Sequence, residues 1–257
     1  MAIDEAIFLS YKENISKPTL RIYGWKAPCF SAGYSQNPES LIDIEACKNA
    51  GISIVRRPTG GGLIFHDKEL TYSVILCQQD IGLTYRIKES FEFITSFLFN
   101  CYSSLGAQAC FAKDKHRACP PDKAIAPFCF SRNEEYDILV NGKKLGGNAQ
   151  KRNRSIILQH GSIPLSLDKE KISIFLKKPE ILSDLEVSCI DEISKERISF
   201  DRLSTTVANA FSFHFKTTLK TEGLSQKETE LSEKLKLTKY STPEWNLNAA
   251  PSKTCVA

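Results

Sequence analysis

Two stretches of this chain join glycine to positive charge in a way suited to holding an anionic or acyl-carbonyl group. The first is Arg56-Arg57-Pro58-Thr59-Gly60-Gly61-Gly62-Leu63-Ile64-Phe65-His66-Asp67. The second is Gly142-Lys143-Lys144-Leu145-Gly146-Gly147-Asn148-Ala149-Gln150. Three consecutive glycines after a β-prone run (Ile52, Ile54, Val55) let backbone amides approach a ligand with no side chain in the way. The adjoining Arg57 can pair with a phosphate or a carboxylate. The same glycine run, taken alone, also fits a flexible turn.

Single residues add to this inventory. Cys129, in Ala126-Pro127-Phe128-Cys129-Phe130, carries a side chain whose thiolate is the best protein nucleophile near neutral pH. Its phenylalanine neighbours equally suit a buried inert thiol. Cys119 is a second candidate. A lysine fixed on a strand, as Lys144 would be, can stabilise negative charge developing on an acyl carbonyl or a phosphate, or lower the pKa of a nearby thiol. His66 and His160 each lie inside a glycine-bearing motif, where either could act as a base, orient a nucleophile, or serve structure alone. Asp67 and Asp137 read as hydrogen-bonding supports. His66-Asp67 is too small a cluster for a metal site, so none is expected.

These residues need elements to position them. Asn141-Gly142 suits the positive φ angles of a type I′ turn, so Tyr136–Val140 and Lys143–Leu145 form a predicted hairpin. Alternation then sends Lys143 to solvent and Lys144 to the other side. Thr71–Leu76 and Ser155–Leu158 are further strand candidates. Ile87, Phe91, Ile94, Leu98, Cys101 and Leu105 recur at helical spacing and predict one long helix over 84–105. Leu203, Val207, Ala210 and Phe211 predict another, and Ser225 with Glu228 forms a capping-box pattern. Residues 106–128 are too proline-rich for regular structure and read as a functional loop. The part from about 168 to 246 reads as mainly helical, and 247–257 as a disordered tail.

Bulk properties set outer limits. The 257 residues are 42% hydrophobic and 25% charged, an ordinary globular composition. No apolar run approaches the roughly 20 residues that span a bilayer. A net charge of +4 without a basic, aromatic-interleaved stripe gives no case for nucleic-acid binding. Nine cysteines, an odd number with no Cys-x-x-Cys pair, argue against zinc and against a disulfide framework. Free thiols in a reducing cytoplasm are the expectation, with Cys47, Cys77 and Cys101 as small core residues.

The first motif, with Glu69-Leu70-Thr71-Tyr72-Ser73, resembles the signature of the lipoate/biotin protein ligase and octanoyltransferase family. The second, with Ile157-Leu158-Gln159-His160-Gly161-Ser162-Ile163, resembles that family's second motif. Met1-Ala2-Ile3-Asp4-Glu5-Ala6, Leu20-Arg21-Ile22-Tyr23-Gly24-Trp25 and Tyr240-Ser241-Thr242-Pro243-Glu244-Trp245-Asn246 are similar to further family segments, in order. The resemblance implies an α/β fold of the α+β type. That fold is one catalytic domain over 1–246, a mixed and largely antiparallel sheet flanked by helices. Relatives usually carry a strand ahead of the first helix, and ligases a small C-terminal domain, and neither is seen here. Gly62 leans toward the ligase branch, Glu69–Ser73 toward the octanoyltransferases.

The implied task is attachment of an octanoyl or lipoyl group to a lysine of a lipoyl domain, in 2-oxoacid dehydrogenases or the glycine cleavage carrier protein. Acyl carrier protein would be the donor. Cys129 and Lys144 are then the expected catalytic residues. Arg57, Thr59, Gly60, Gly61, Gly62, His66, Gly147, Asn148, Ala149, His160 and Gly161 are the expected substrate-binding residues. Phe65 and Val74 are expected walls for an eight-carbon chain, each buried methylene being worth about 0.8 kcal/mol. No tightly bound cofactor is expected. Two alternatives stand beside this: a lipoate ligase using ATP and magnesium, with Cys129 a bystander, and a silent module that binds lipoyl domains or acyl thioesters. A cytoplasmic monomer without nucleic-acid or membrane partners completes the expectation.

Overall fold

A computed structural model describes residues 1–13, 16–82, 86–115, 134–182 and 186–248. Cys119 and Cys129 lie outside these residues, as does the tail from 249 onward.

The strands, in chain order, are β1 Thr19–Tyr23, β2 Cys29–Ala32, β3 Ser53–Arg56, β4 Ile64–His66, β5 Glu69–Cys77 and β6 Ala109–Phe111. They continue with β7 Ile138–Val140, β8 Lys143–Leu145, β9 Gly147–Asn153, β10 Ile156–Pro164 and β11 Val187–Ser188. Among the described residues they form three sheets, ordered β1-β5-β10-β9, β11-β8-β7-β6 and β3-β2-β4. Every pairing is antiparallel except β2 with β3 and β8 with β11. This is the mixed, largely antiparallel arrangement expected, divided among sheets.

The first sheet is covered on both faces. Because successive side chains of a strand point to opposite faces, Tyr72, Val74 and Leu76 join the larger core with Phe97, Leu98, Leu203 and Val207 from the helices. Ile75 on β5 and Leu158 on β10 meet Ile7 and Phe8 of the first helix, Ala2–Lys12. A further cluster, with Phe30, Leu63 and Phe175, backs the β3-β2-β4 sheet.

The Asn-Gly hairpin forms as expected. Asn141 has φ 51° and Gly142 φ 82°, and Leu139 pairs with Lys144. The helix Phe200–Phe215 and the Ser225–Glu228 capping box are both present. The expected single helix over 84–105 is instead two, Ile87–Thr95 and Phe97–Ser104, broken at Ser96, whose hydroxyl back-bonds to Glu92 O. The start of the supposed loop is regular: β6 pairs with β7, and a turn of helix follows at Ala112–Lys115. The C-terminal part includes β11 among its helices. Cys77 is partly exposed at the end of β5, not a core residue.

Residues 247 and 248 are not a loose tail: the Leu247 N–H donates to Pro243 O, and Arg56 reaches Asn248. Its guanidinium donates to the carbonyls of Gly33, Tyr34, Gln36, Trp245 and Asn248, and its backbone N–H to Asn246 Oδ1. Arg56→Met would remove the donor from these acceptors, of which the Gly33 carbonyl is buried. We expect a loss of about 3 kcal/mol or more in urea unfolding, with earlier proteolytic release of the segment after Lys216.

Candidate functional site

Arg57 follows Arg56 past the end of β3, and its N–H still pairs with Ala32 O of β2 at 2.8 Å. Its guanidinium therefore goes to the other side. Nη1 donates to Ser31 O at 2.6 Å and Ser31 Oγ at 2.8 Å; Nη2 donates to Gly60 O at 3.0 Å and Gly62 O at 2.7 Å. The side chain expected to grip a phosphate or carboxylate thus shapes the glycine loop. The loop needs its glycines. Gly61 has φ 92°, and a Cβ on the facing Gly33 would stand 1.9 Å from Gly61 O.

A chain of buried polar groups backs this loop. Ser31 Oγ lies 2.5 Å from His66 Nε2, and His66 Nδ1 lies 2.7 Å from Glu69 Oε1. Glu69 also accepts from Ser162 Oγ at 2.6 Å, from Thr71 Oγ1, and from the indole of Trp25, which stacks on His66 at 4.1 Å. Burial pushes the Glu69 carboxyl up, but its contact with the His66 ring and the Ser162 and Thr71 hydroxyls hold it below its ordinary pKa. Serine, histidine and carboxylate stand here in the order of a hydrolytic triad. Ser31 is fully buried and already accepts from Arg57, so the arrangement braces the loop and does not present a nucleophile.

His160 sits across from Ser73 on β10, with Nε2 2.5 Å from Thr59 Oγ1. Burial, followed by the Arg57 charge, pushes it down to about 3. It is a neutral hydrogen-bonding group at physiological pH and a poor base. Asp4 lies beneath the same face and accepts from Arg21, Tyr23 and Ser73. Burial pushes its carboxyl up, but the N-terminal ammonium, Arg21 and Ser73 together hold it well below the carboxylate range.

The two motifs meet at one pocket. Of the expected residues, Arg57, His66, Gly147, Asn148, Ala149, His160 and Gly161 line it. Met1, Ile64, Thr71 and Ser162 complete the wall and were missed, although Ile64 and His66 share one face of β4 by alternation. Phe65 points the other way, against Phe30 and Phe175, and Val74 lies in the larger core. Neither lines this pocket, where an acyl-chain wall was expected. Thr59 and Gly60, Gly61 and Gly62 stand behind the wall as its supports.

Lys144 belongs to the hairpin sheet, outside the pocket wall. It is 1% exposed, with Nζ 2.6 Å from Asp137 Oδ2, while Lys143 is exposed. Burial pushes the Asp137 carboxyl up and Lys144 opposes it. Gly146, at φ 76°, joins this strand to the pocket strand β9; a Cβ there would meet Ser162 O at 2.1 Å. Among the described residues, no group of three or more His, Cys, Asp or Glu could hold a metal.

Residues 1–212 match the family model described as the lipoyl protein ligase A/B catalytic domain. The chain belongs to this family. It is 36% identical to "Octanoyltransferase LipM" of Kyrpidia tusciae, covering 96% of this chain and 93% of that protein. To "Octanoyltransferase LipM" of Bacillus subtilis it is 33% identical over 96% and 92%. A lipoate-protein ligase A crystallised with ATP superposes with a TM-score of 0.77 at 27% identity, over 96% of this chain and 92% of that one. Among the described residues no helix is long and apolar enough to cross a membrane.

The depressed His160 pKa has a testable sign. Between about 3 and its ordinary 6.5 the unfolded chain binds a proton there that the folded one does not. Stability therefore rises with pH through that window, by up to about 1.4 kcal/mol per pH unit. His160→Gln should flatten the slope of unfolding free energy between pH 4.5 and 6.5 relative to wild type. Parallel slopes would refute the assignment.

Proposed function

We propose that the chain transfers an octanoyl group from the thioester of an acyl carrier protein to a lysine of a lipoyl domain. The similarity to octanoyltransferases over 96% of its length carries this reading. Residues 1–246 act as one catalytic unit, a reading supported by a core that runs from Leu70 to Phe211.

Cys129 is the proposed nucleophile. Its thiolate adds to the thioester carbonyl, the bond to the carrier's sulfur breaks, and the carrier thiol leaves. The neutral amine of the target lysine then attacks the acyl-enzyme. A C–N bond forms, the bond to Cys129 Sγ breaks, and the amine's proton passes to solvent. The thioester supplies the activation, so no nucleotide is consumed. Cys129 stands five residues ahead of Glu134, whose N–H donates to Asp137 Oδ2, the carboxylate paired with Lys144. That connection favours Lys144 as the charge that stabilises thiolate or oxyanion.

Four of the described thiols are poor nucleophiles. Burial pushes Cys29 and Cys101 up to about 12 and Cys47 to about 11, and raises Cys189. The lipoyl domain as acceptor agrees with a structural relative described as a bi-partite lipoate protein ligase and its E2 lipoyl domain, with a TM-score of 0.79 at 25% identity.

Intact-protein mass spectrometry after mixing with octanoyl-[acyl carrier protein] tests the reading. Wild type should gain one hydroxylamine-labile octanoyl group and Cys129→Ser none. Lys144→Met should slow acylation by about 10²-fold, and adding Asp137→Leu should recover stability without recovering rate. No adduct on wild type, with modification of a lipoyl domain by free lipoate and ATP, would replace this reading with the ligase.

A further inference from the structure

A hydrogen-bonded chain runs from the surface to Asn148, and its direction is fixed at one end. Arg152 Nε and Nη2 donate to Gln150 Oε1 at 3.1 and 2.9 Å. A guanidinium has only N–H groups to offer, so the Gln150 oxygen must face it. Gln150 then turns its NH₂ to Gln159 Oε1 at 2.6 Å. Gln159 in turn offers its NH₂ to Tyr72 Oη at 3.1 Å and Thr95 Oγ1 at 3.0 Å. Tyr72, already an acceptor, gives its hydroxyl proton to Asn148 Oδ1 at 2.6 Å. Amide orientation is usually ambiguous by shape alone; here the guanidinium sets both glutamine flips, and the Tyr72 proton, which needs an acceptor, sets Asn148.

The consequence falls on Asn148. Its oxygen is committed to Tyr72, and among the described residues its NH₂ has no partner. Asn148 stands at the rim of the pocket, second residue of the edge strand β9. Gly161 is its cross-strand neighbour, and any side chain there would collide with the pair, a Cβ falling 2.2 Å from Asn148 Oδ1 and 2.6 Å from the Tyr72 ring. Arg152 is held in turn by Ser90 and the carbonyl of Ile87, at the start of the helix Ile87–Thr95.

We propose that the Asn148 NH₂ donates to the carbonyl oxygen of the bound acyl thioester, and that Arg152, Gln150, Gln159 and Tyr72 are positioning residues that hold it as a donor. The proposal rests on the octanoyl-transfer reading and adds to it the group that meets the substrate oxygen. A donor aimed where negative charge develops acts on kcat more than on KM. A reversed carboxamide would put oxygen against oxygen.

The test is the rate of octanoyl transfer from octanoyl-[acyl carrier protein] to Cys129, with kcat and KM resolved. Asn148→Ala should lower kcat by about 10²-fold with KM nearly unchanged. Tyr72→Phe and Arg152→Met should each lower it about 5- to 10-fold. Arg152→Lys, which keeps a donor, should restore it to within about 2-fold of wild type. A second readout needs no turnover. Side-chain amide NMR should give a stronger cross-peak to the Tyr72 ring from the Gln159 NH₂ than from the Asn148 NH₂. Arg152→Glu, an acceptor, should invert that ratio. Unchanged kcat in Asn148→Ala or in Arg152→Met, or an uninverted ratio in Arg152→Glu, would overturn the proposal. Wild type that transfers nothing, with the ratio inverted, would instead count against octanoyl transfer while upholding the polarised chain.

Discussion

Two adjacent guanidiniums, buried at the end of one short strand, hold the site together. A buried charge is costly unless its donors are used, and Arg56 and Arg57 use theirs on backbone carbonyls. Being neighbours at a strand end, they reach opposite ways. Arg56 gathers the turn after β2 and the closing segment at Trp245 and Asn248, while Arg57 gathers Ser31 and the glycine loop. Residues nearly 200 positions apart in sequence are thus fastened through one dipeptide. The second guanidinium then depends on Ser31, His66 and Glu69, which tie the loop to the first sheet through Thr71 and Ser162.

Local chemistry was the legible part of the sequence. The Asn141-Gly142 turn, the Ser225 capping box and the 200–215 helix each depend on a few neighbouring residues, and each formed. The two glycine motifs converge on one pocket, as their composition suggested. What sequence spacing could not carry was direction over distance. Apolar periodicity continues through Ser96, yet the hydroxyl there bonds back to Glu92 and the helix divides. Alternation on β4 could have turned Phe65 away from the pocket, but only once His66 was known to face it. Glu69 read as part of a motif; its role as the acceptor for Trp25 and Ser162, as well as for the nearby His66 and Thr71, needed two distant segments to be folded around it.

The state of the two motif histidines follows from the same packing. His160 sits above Asp4, whose negative charge would favour a proton on the ring, yet burial and Arg57 outweigh it. His66 is clamped between Glu69 and Ser31 and covered by Trp25. Neither ring is placed as a free base toward solvent. On the proposed reading the proton of transfer passes to solvent, and the Lys144–Asp137 pair on the hairpin sheet supplies charge rather than a base.

On the proposed reading, a pocket built this way favours a thioester donor over an adenylate. An adenylate brings a phosphate, which calls for cations with donors to spare. The Nη donors of Arg57 are directed at Ser31, Gly60 and Gly62, and His160 is neutral. The Met1 ammonium is paired with Asp4 at 3.2 Å, and the other groups left at the rim are backbone, the methionine and isoleucine side chains, and a carboxamide whose NH₂ is turned away from Tyr72. A neutral amide donor suits a neutral carbonyl oxygen that gains charge only as the reaction proceeds. It adds little to the binding of the ground state and more to the tetrahedral intermediate. A lipoate-protein ligase A bound with ATP shares the backbone framework. On this argument, the choice between thioester and adenylate rests on how the polar side chains around that framework spend their hydrogen bonds.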